Sequence, residues 1–62
     1  MMKLEIYRKR SIPGGYVFDV DPETVFENIA WLECCNGVFY GNIEGEELAV
    51  GMDEVNYKYI IR

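Results

Sequence analysis

DPETVFENIAWLECCNG, residues 21–37, is the stretch that decides the fold class, because it carries the clearest signals for the two ends of one element. Its opening Asp-Pro-Glu triplet offers a capping side chain, a proline suited to a first helical turn and an acid for the positive end of a helix dipole. Its closing Asn36-Gly37 pair is typical of the left-handed residues that end a helix. The stretch therefore predicts a helix over residues 22–35.

The apolar residues of this predicted helix would fall on one side of it. At about 100° per residue, one connected face would carry four apolar side chains, Val25, Phe26, Ile29 and Leu32. Such a face would cover a sheet. Trp31 would lie on the opposite side, where it would pack under a bent strand or loop, contact a partner, or simply be exposed to solvent.

Three strands are predicted downstream of the helix, at residues 38–43, 46–52 and 55–61. Glu44-Gly45 and Asp53-Glu54 are the turns that would join them. The first turn sets Phe39 opposite Val50, and the second sets Val50 opposite Tyr57. Because both turns place apolar side chains on the same face, the pattern predicts a three-stranded meander.

Upstream of the helix, residues 2–8 alternate apolar and polar side chains, which is typical of a strand with one wet face. A turn-rich loop over residues 11–15 leads into a second strand over residues 16–20. Together the elements predict one α+β domain over residues 1–62, in the order β-β-α-β-β-β. One helix would pack on a twisted antiparallel sheet.

The chain of 62 residues carries a net charge of -5 at pH 7, and its charges are unevenly distributed. Residues 11–57 contain ten acidic residues and no Lys or Arg, so all of the basic residues lie near the two ends of the sequence. Because binding to a phosphate backbone depends on basic groups, nucleic acid is disfavoured as a general partner. An acidic surface favours a basic protein partner instead.

Residues suited to catalysis or metal binding are scarce. No His is present, and no acid or base adjoins the alcohols Ser11 and Thr24 in a recognisable motif. Cys34 and Cys35 are adjacent rather than spaced like structural zinc ligands, and we interpret them as small apolar filler. Residues 19–23 imitate the start of a calcium loop, but the glycine and glutamate that should follow are absent. The sequence predicts no catalytic residue, no cofactor and no metal site.

The candidates for contact with another protein are aromatic and acidic residues. Trp31 and Tyr40 lie on predicted outer faces. The acidic candidates lie on the predicted hairpin turns, where a solvated surface would also explain them: Glu44, Glu46, Glu47, Asp53 and Glu54. The leading hypothesis is a non-enzymatic protein–protein interaction module. A small acidic regulator or inhibitor that binds a basic protein surface fits this description. The size and acidity of the chain would also suit a virus-encoded protein of this kind.

Two other functions stay open. A homodimer or higher homo-oligomer with a structural role could form through edge strands or an uncovered sheet face. Alternatively, RNA or single-stranded DNA could bind weakly to the segment formed by Tyr7, Arg8, Lys9 and Arg10. The sequence shows no signal peptide and no long apolar run, so we expect no membrane association. We expect a cytoplasmic location, which would be the host cytoplasm for a viral protein.

Overall fold

A computed structural model describes residues 1–62 and contains six β-strands and no helix. The strands are β1 (Met2–Ile12), β2 (Gly15–Phe18), β3 (Thr24–Cys35), β4 (Val38–Ile43), β5 (Glu46–Gly51) and β6 (Tyr57–Ile61). The predicted α+β class, with one helix packed on a sheet, is therefore wrong. β3 occupies nearly all of the predicted helix at residues 22–35.

β3 is a strand whose apolar spacing imitates that of a helix. It is rich in β-branched and aromatic residues, which favour strands. Its pairing shifts once between Phe26 and Ile29, where Asn28 has a positive φ of 54°, and again between Ile29 and Trp31. Each shift marks a bulge with one extra residue. Three apolar side chains spaced three residues apart, Phe26, Ile29 and Leu32, thereby contribute to the same core.

The signals interpreted as helix ends belong to connections between strands. Asn36 and Gly37 have φ values of 50° and 75°, and they join the paired residues Cys35 and Val38. Two successive positive φ values define the type I′ hairpin turn, for which Asn-Gly is strongly preferred. Asn36 and Gly37 do adopt the left-handed conformation that the sequence predicts. This conformation occurs in hairpin turns as well as at helix ends, and here it forms a hairpin turn. The Asp-Pro-Glu triplet lies in the connection between β2 and β3.

β1 is the central strand of an antiparallel sheet. It pairs with β2, β3 and β6, and the sheet continues from β3 through β4 to β5. The carbonyls of Ile6 and Arg8 accept hydrogen bonds from the residues that flank β3 and β2, so these two strands follow one another along one edge of β1. β6 occupies the other edge, where it pairs with residues 4–8. The remainder of β1 projects with β2 as a two-stranded arm, residues 9–18.

The sheet folds over into two layers. We define the first layer as β6, β1 and the start of β3, with the arm, and the second layer as the rest of β3 with β4 and β5. Tyr59 in β6 contacts Phe39 in β4, with ring centroids 5.7 Å apart, although β1 and β3 separate their strands in the sheet. The Tyr59 hydroxyl also accepts a 2.7 Å hydrogen bond from the backbone N–H of Asp53. We attribute this folding of the sheet into two layers to the two bulges of β3, because a bulge bends its strand.

The core lies between these layers. Its buried apolar residues are Leu4, Ile6, Ile29, Phe39 and Ile43. The exposed fraction of Leu4 is 0%, which a single-layer sheet could not achieve. Five such residues make a small core. Because full burial of each side chain stabilises the fold by roughly 1.5–3 kcal/mol, the contact between layers that buries them is essential to stability.

One half of the predicted meander is present. Phe39 pairs with Val50 as predicted, and Glu44-Gly45 forms the turn. The predicted pairing of Val50 with Tyr57 is wrong, because β6 pairs with β1 instead of β5. The carboxylate of Asp53 accepts hydrogen bonds from the backbone N–H groups of Val55 and Asn56, each at 3.2 Å. This turn directs the chain from β5 to the first layer.

Gly41 allows β3 and β4 to approach closely next to the second bulge. A Cβ at Gly41 would lie 2.5 Å from the backbone oxygen of Trp31, which cannot rotate away. We expect Gly41→Ala to lower the free energy of unfolding by roughly 1–3 kcal/mol, the usual cost of overpacking. Urea-induced unfolding would measure this loss.

Gly51→Ala is the matched control, because a Cβ there would meet no atom within 4 Å. We expect its unfolding midpoint to stay near that of the unaltered protein. Equal destabilisation by the two substitutions would contradict the close approach at Gly41.

Candidate functional site

The fold separates the charges of the chain onto its two layers. All of the basic side chains lie on β1, on β6 or immediately after β6: Lys3, Arg8, Lys9, Arg10, Lys58 and Arg62. The second layer contains no Lys or Arg, because none occurs in residues 11–57. The molecule therefore has one layer that carries every cation and one layer whose charged side chains are all acidic.

A shallow cavity of about 230 Å³ lies on the outer face of the second layer. We call it the aromatic cavity, and it is lined by Trp31, Tyr40, Gly41, Glu47, Leu48 and Ala49. The exposed fractions of Trp31 and Tyr40 are 43% and 46%. Two large rings thus remain nearly half accessible beside one carboxylate.

Strand register and the second β3 bulge bring these side chains together. Trp31 pairs with Asn42, which pairs in turn with Glu47 on β5. Tyr40 pairs with Glu33, two residues further along the same face. Trp31 therefore lies on the outer face of a strand rather than of a helix.

The structure brings only one of the predicted acidic residues to the aromatic cavity. Glu47 lines it, whereas Glu44 lies in the β4–β5 turn, and Glu46 pairs with the core residue Ile43 and therefore points to the opposite face of β5. Asp53 and Glu54 lie in the β5–β6 connection. The side-chain amide of Asn56 donates a 2.9 Å hydrogen bond to the Asp53 carboxylate, and this bond is the main reason that the pKa of Asp53 is lowered. Asp53 therefore has a structural role in that connection.

Sequence reasoning missed Glu33 as a neighbour of this site. Its pairing with Tyr40 places a second carboxylate beside the aromatic cavity. Only the strand register reveals this proximity, because Glu33 lies within the predicted helix of residues 22–35, where it would have no cross-strand neighbour.

The predicted nucleic-acid segment is divided between two faces. Arg10 forms two hydrogen bonds with the Asp19 carboxylate, at 2.6 and 3.1 Å, and Arg8 lies 3.3 Å from Glu23. Tyr7 and Lys9 point to the other side of β1, as alternation along a strand requires. The three cations of the segment therefore do not act as one patch.

Tyr7 and Lys9 join side chains from β2 and β6 that sequence reasoning did not connect to them. We call this group the lysine-aromatic face, and it consists of Tyr7, Lys9, Tyr16, Phe18 and Lys58. The Lys9 ammonium lies 4.0 Å from the Tyr16 ring centroid, and the Lys58 ammonium lies 4.5 Å from that of Phe18 and 5.1 Å from that of Tyr7. These distances are within cation–π range.

Glu5 is the acidic centre of the first layer. The Arg62 guanidinium donates a 2.6 Å hydrogen bond to its carboxylate, the Tyr7 hydroxyl donates another at 3.0 Å, and Lys3 lies 3.6 Å away. The bond from Arg62 has the largest effect and lowers the pKa of Glu5, and the opposing effect of burial is smaller. Glu5 therefore stays ionised and fixes β6 beside β1.

Cys34 and Cys35 end β3 as free, exposed thiols, and their exposure argues against their interpretation as apolar filler. The Cys34 sulfur does contact that of Met52 at 3.4 Å. Successive side chains of a strand point to opposite faces, which separates the two sulfurs. No group of three or more His, Cys, Asp or Glu side chains is arranged to hold a metal ion. The structure also has no helix with the length and apolar character needed to cross a bilayer.

Comparison of the chain with protein-family models, with curated proteins and with solved structures gave no match. Two surface features are the candidates for function: the aromatic cavity and the lysine-aromatic face.

Because the pKa of Glu5 is lowered, the free energy of unfolding depends on pH in the acidic range. A carboxyl group whose pKa is lower in the folded state stabilises the fold fully above its ordinary value, 4.5 for Glu5, and loses that contribution as the pH falls. We expect Glu5→Gln to lower stability at neutral pH and to reduce the loss of stability below about pH 4.5. Thermal unfolding measured across this pH range would show both effects.

Glu54→Gln removes the same charge from an exposed residue that has no ion pair, and we expect it to leave the acid dependence unchanged. If Glu5→Gln lost stability in acid as steeply as the unaltered protein does, the assignment of this effect to Glu5 would be wrong.

Proposed function

We propose that this protein is a non-enzymatic interaction module that binds a basic segment of another protein on the outer face of its second layer. A Lys or Arg side chain of the partner would enter the aromatic cavity, between Trp31 and Tyr40 and beside Glu47. The observation that carries the proposal is the two accessible rings and the carboxylate that line one cavity.

The chemistry of the cavity suits a cation. A cation over an aromatic face gains about 0.5–1 kcal/mol at an exposed site, and about 2 kcal/mol or more where water is excluded. Glu47 and Glu33 add negative charge, and no cation of this layer competes for it. An acidic face with exposed rings therefore attracts a basic side chain more strongly than an apolar or acidic one.

The size of the cavity indicates what kind of ligand it holds. At about 230 Å³ it is smaller than the pockets of roughly 300–1,000 Å³ that enclose small molecules. It fits the end of one long side chain rather than a whole substrate. A useful affinity would therefore need further basic residues in the partner, which the surrounding acids would attract and orient.

Trp31 is the only tryptophan of the chain, so its fluorescence reports directly on the cavity. We expect a peptide of alternating Arg and Gly to change this fluorescence in a saturable way. The same peptide with neutral citrulline in place of Arg should cause no change. Tyr40→Ala and Glu47→Gln should each weaken binding about two- to fivefold, the loss that corresponds to one exposed cation contact.

Tyr16→Ala and Glu54→Gln are matched controls, because they remove a similarly exposed ring and a single carboxylate at other places. If Glu54→Gln weakened binding as much as Glu47→Gln, general attraction to an acidic protein would replace the proposed site. If the peptide left Trp31 fluorescence unchanged, the proposal would fail.

A second copy of this chain is the competing occupant of the aromatic cavity. Light scattering and Trp31 emission over a dilution series would separate the two cases. Self-association through the cavity would give a dimer mass at high concentration, with a red shift of the emission on dilution. A monomer at every concentration would leave the cavity free for the partner.

A further inference from the structure

We infer that the lysine-aromatic face binds single-stranded nucleic acid. This face lies on the first layer and the arm, and it shares no residue with the aromatic cavity. The inference therefore goes beyond the proposed function and does not rest on it.

The two lysines of this face have no carboxylate partner. Lys9 and Lys58 lie over aromatic rings and form no ion pair, whereas Arg8 and Arg10 on the other side of β1 are paired with acids. Along the same side of the layer, Lys3 and Arg62 share one carboxylate, that of Glu5. Local charge on this face is therefore positive, although the whole chain carries -5.

The aromatic rings stand at intervals along this positive surface. Tyr16 is 56% exposed, and its ring meets that of Phe18 edge to face, with the centroids 5.6 Å apart. Tyr7 lies further down β1, opposite Lys58. Tyr16 is the exposed ring of this face and can stack on a base, whereas Tyr7 and Phe18 are half-buried. The Lys9 ammonium, which lies over the Tyr16 ring in the free protein, would move from the ring to an adjoining phosphate.

The arrangement suits a single strand better than a duplex or an acidic peptide. Rings stack only on bases that are free of a complementary strand, and this stacking is tolerant of sequence. An acidic peptide would use the lysines but would leave the rings without planar partners. From Lys3 to Ser11, β1 extends roughly 26 Å at about 3.3 Å per residue, which is enough for the smaller single-strand sites of about four nucleotides.

Fluorescence anisotropy with a labelled oligothymidylate of about sixteen nucleotides tests the inference directly on the whole chain. We expect binding at about 50 mM salt that weakens steeply towards about 200 mM. Each phosphate contact to a single strand contributes about -0.7 to the slope of log K against log salt. Lys9→Gln and Lys58→Gln should each make that slope less steep by about this amount.

Tyr16→Ala should weaken binding by about fivefold or more, the usual effect of losing one stacked base. Tyr40→Ala is its matched control, since it removes a similarly exposed ring from the second layer and should leave the affinity for the oligonucleotide unchanged. Circular dichroism of each variant would verify that the fold is retained. The oligonucleotide should also leave Trp31 fluorescence unchanged.

Absence of binding at the lower salt concentration would overturn the inference. Equal affinity for a duplex of the same length would overturn it too, and so would equal losses in Tyr16→Ala and Tyr40→Ala. Binding to vesicles with anionic lipid headgroups but not to the oligonucleotide would assign the face to a membrane surface instead. Because Trp31 fluorescence reports on the aromatic cavity, failure here is distinguishable from failure of the proposed function.

Discussion

The bend in β3 is the constraint on which the rest of the structure depends. An unbent sheet of these six strands would be a single layer, and both of its faces would be wet. Because two bulges turn β3 within a few residues, Phe39 and Ile43 of the second layer come to rest over Leu4 and Ile6 of the first. A chain of this size has few other ways to exclude water from a core. The same bulges determine which side chains point outwards, so stability and the candidate site have a common origin.

Local turn chemistry accounts for what could be predicted from the sequence. Glu44-Gly45 gave the correct hairpin and the correct pairing of Phe39 with Val50. The helix prediction failed because a bulged strand and a helix can show the same pattern in the sequence. In both, apolar side chains that share one face are about three positions apart. The pairing of β6 with β1 could not be predicted, because no turn joins the two strands and no local sequence pattern indicates it. For the same reason Trp31 and Tyr40 could be proposed as contact residues, whereas the proximity of Glu33 and Lys58 to the two faces depends on register.

Charge and aromatic character are distributed so that the two layers present opposite surfaces. The basic residues lie near the two ends of the sequence, and β1 and β6 bring those ends together. Rings are present on both outer faces, but carboxylates accompany them on one layer and lysines on the other. A protein of this kind could hold two different partners at once, one on each side.

The pairing of β1 with β6 also has consequences for how the chain reaches this structure. Glu5 and Arg62, which fix that pairing, are 57 positions apart in the sequence, whereas the hairpins join neighbours. Long-range pairing has to overcome the entropy of closing a large loop before it gains any contact, so it slows folding. The β4–β5 hairpin can form early, but one edge of β1 stays unpaired until the last strand arrives. During that interval the exposed edge is open to strands of other chains, and the rate of this closure sets how long the nascent protein is prone to aggregate.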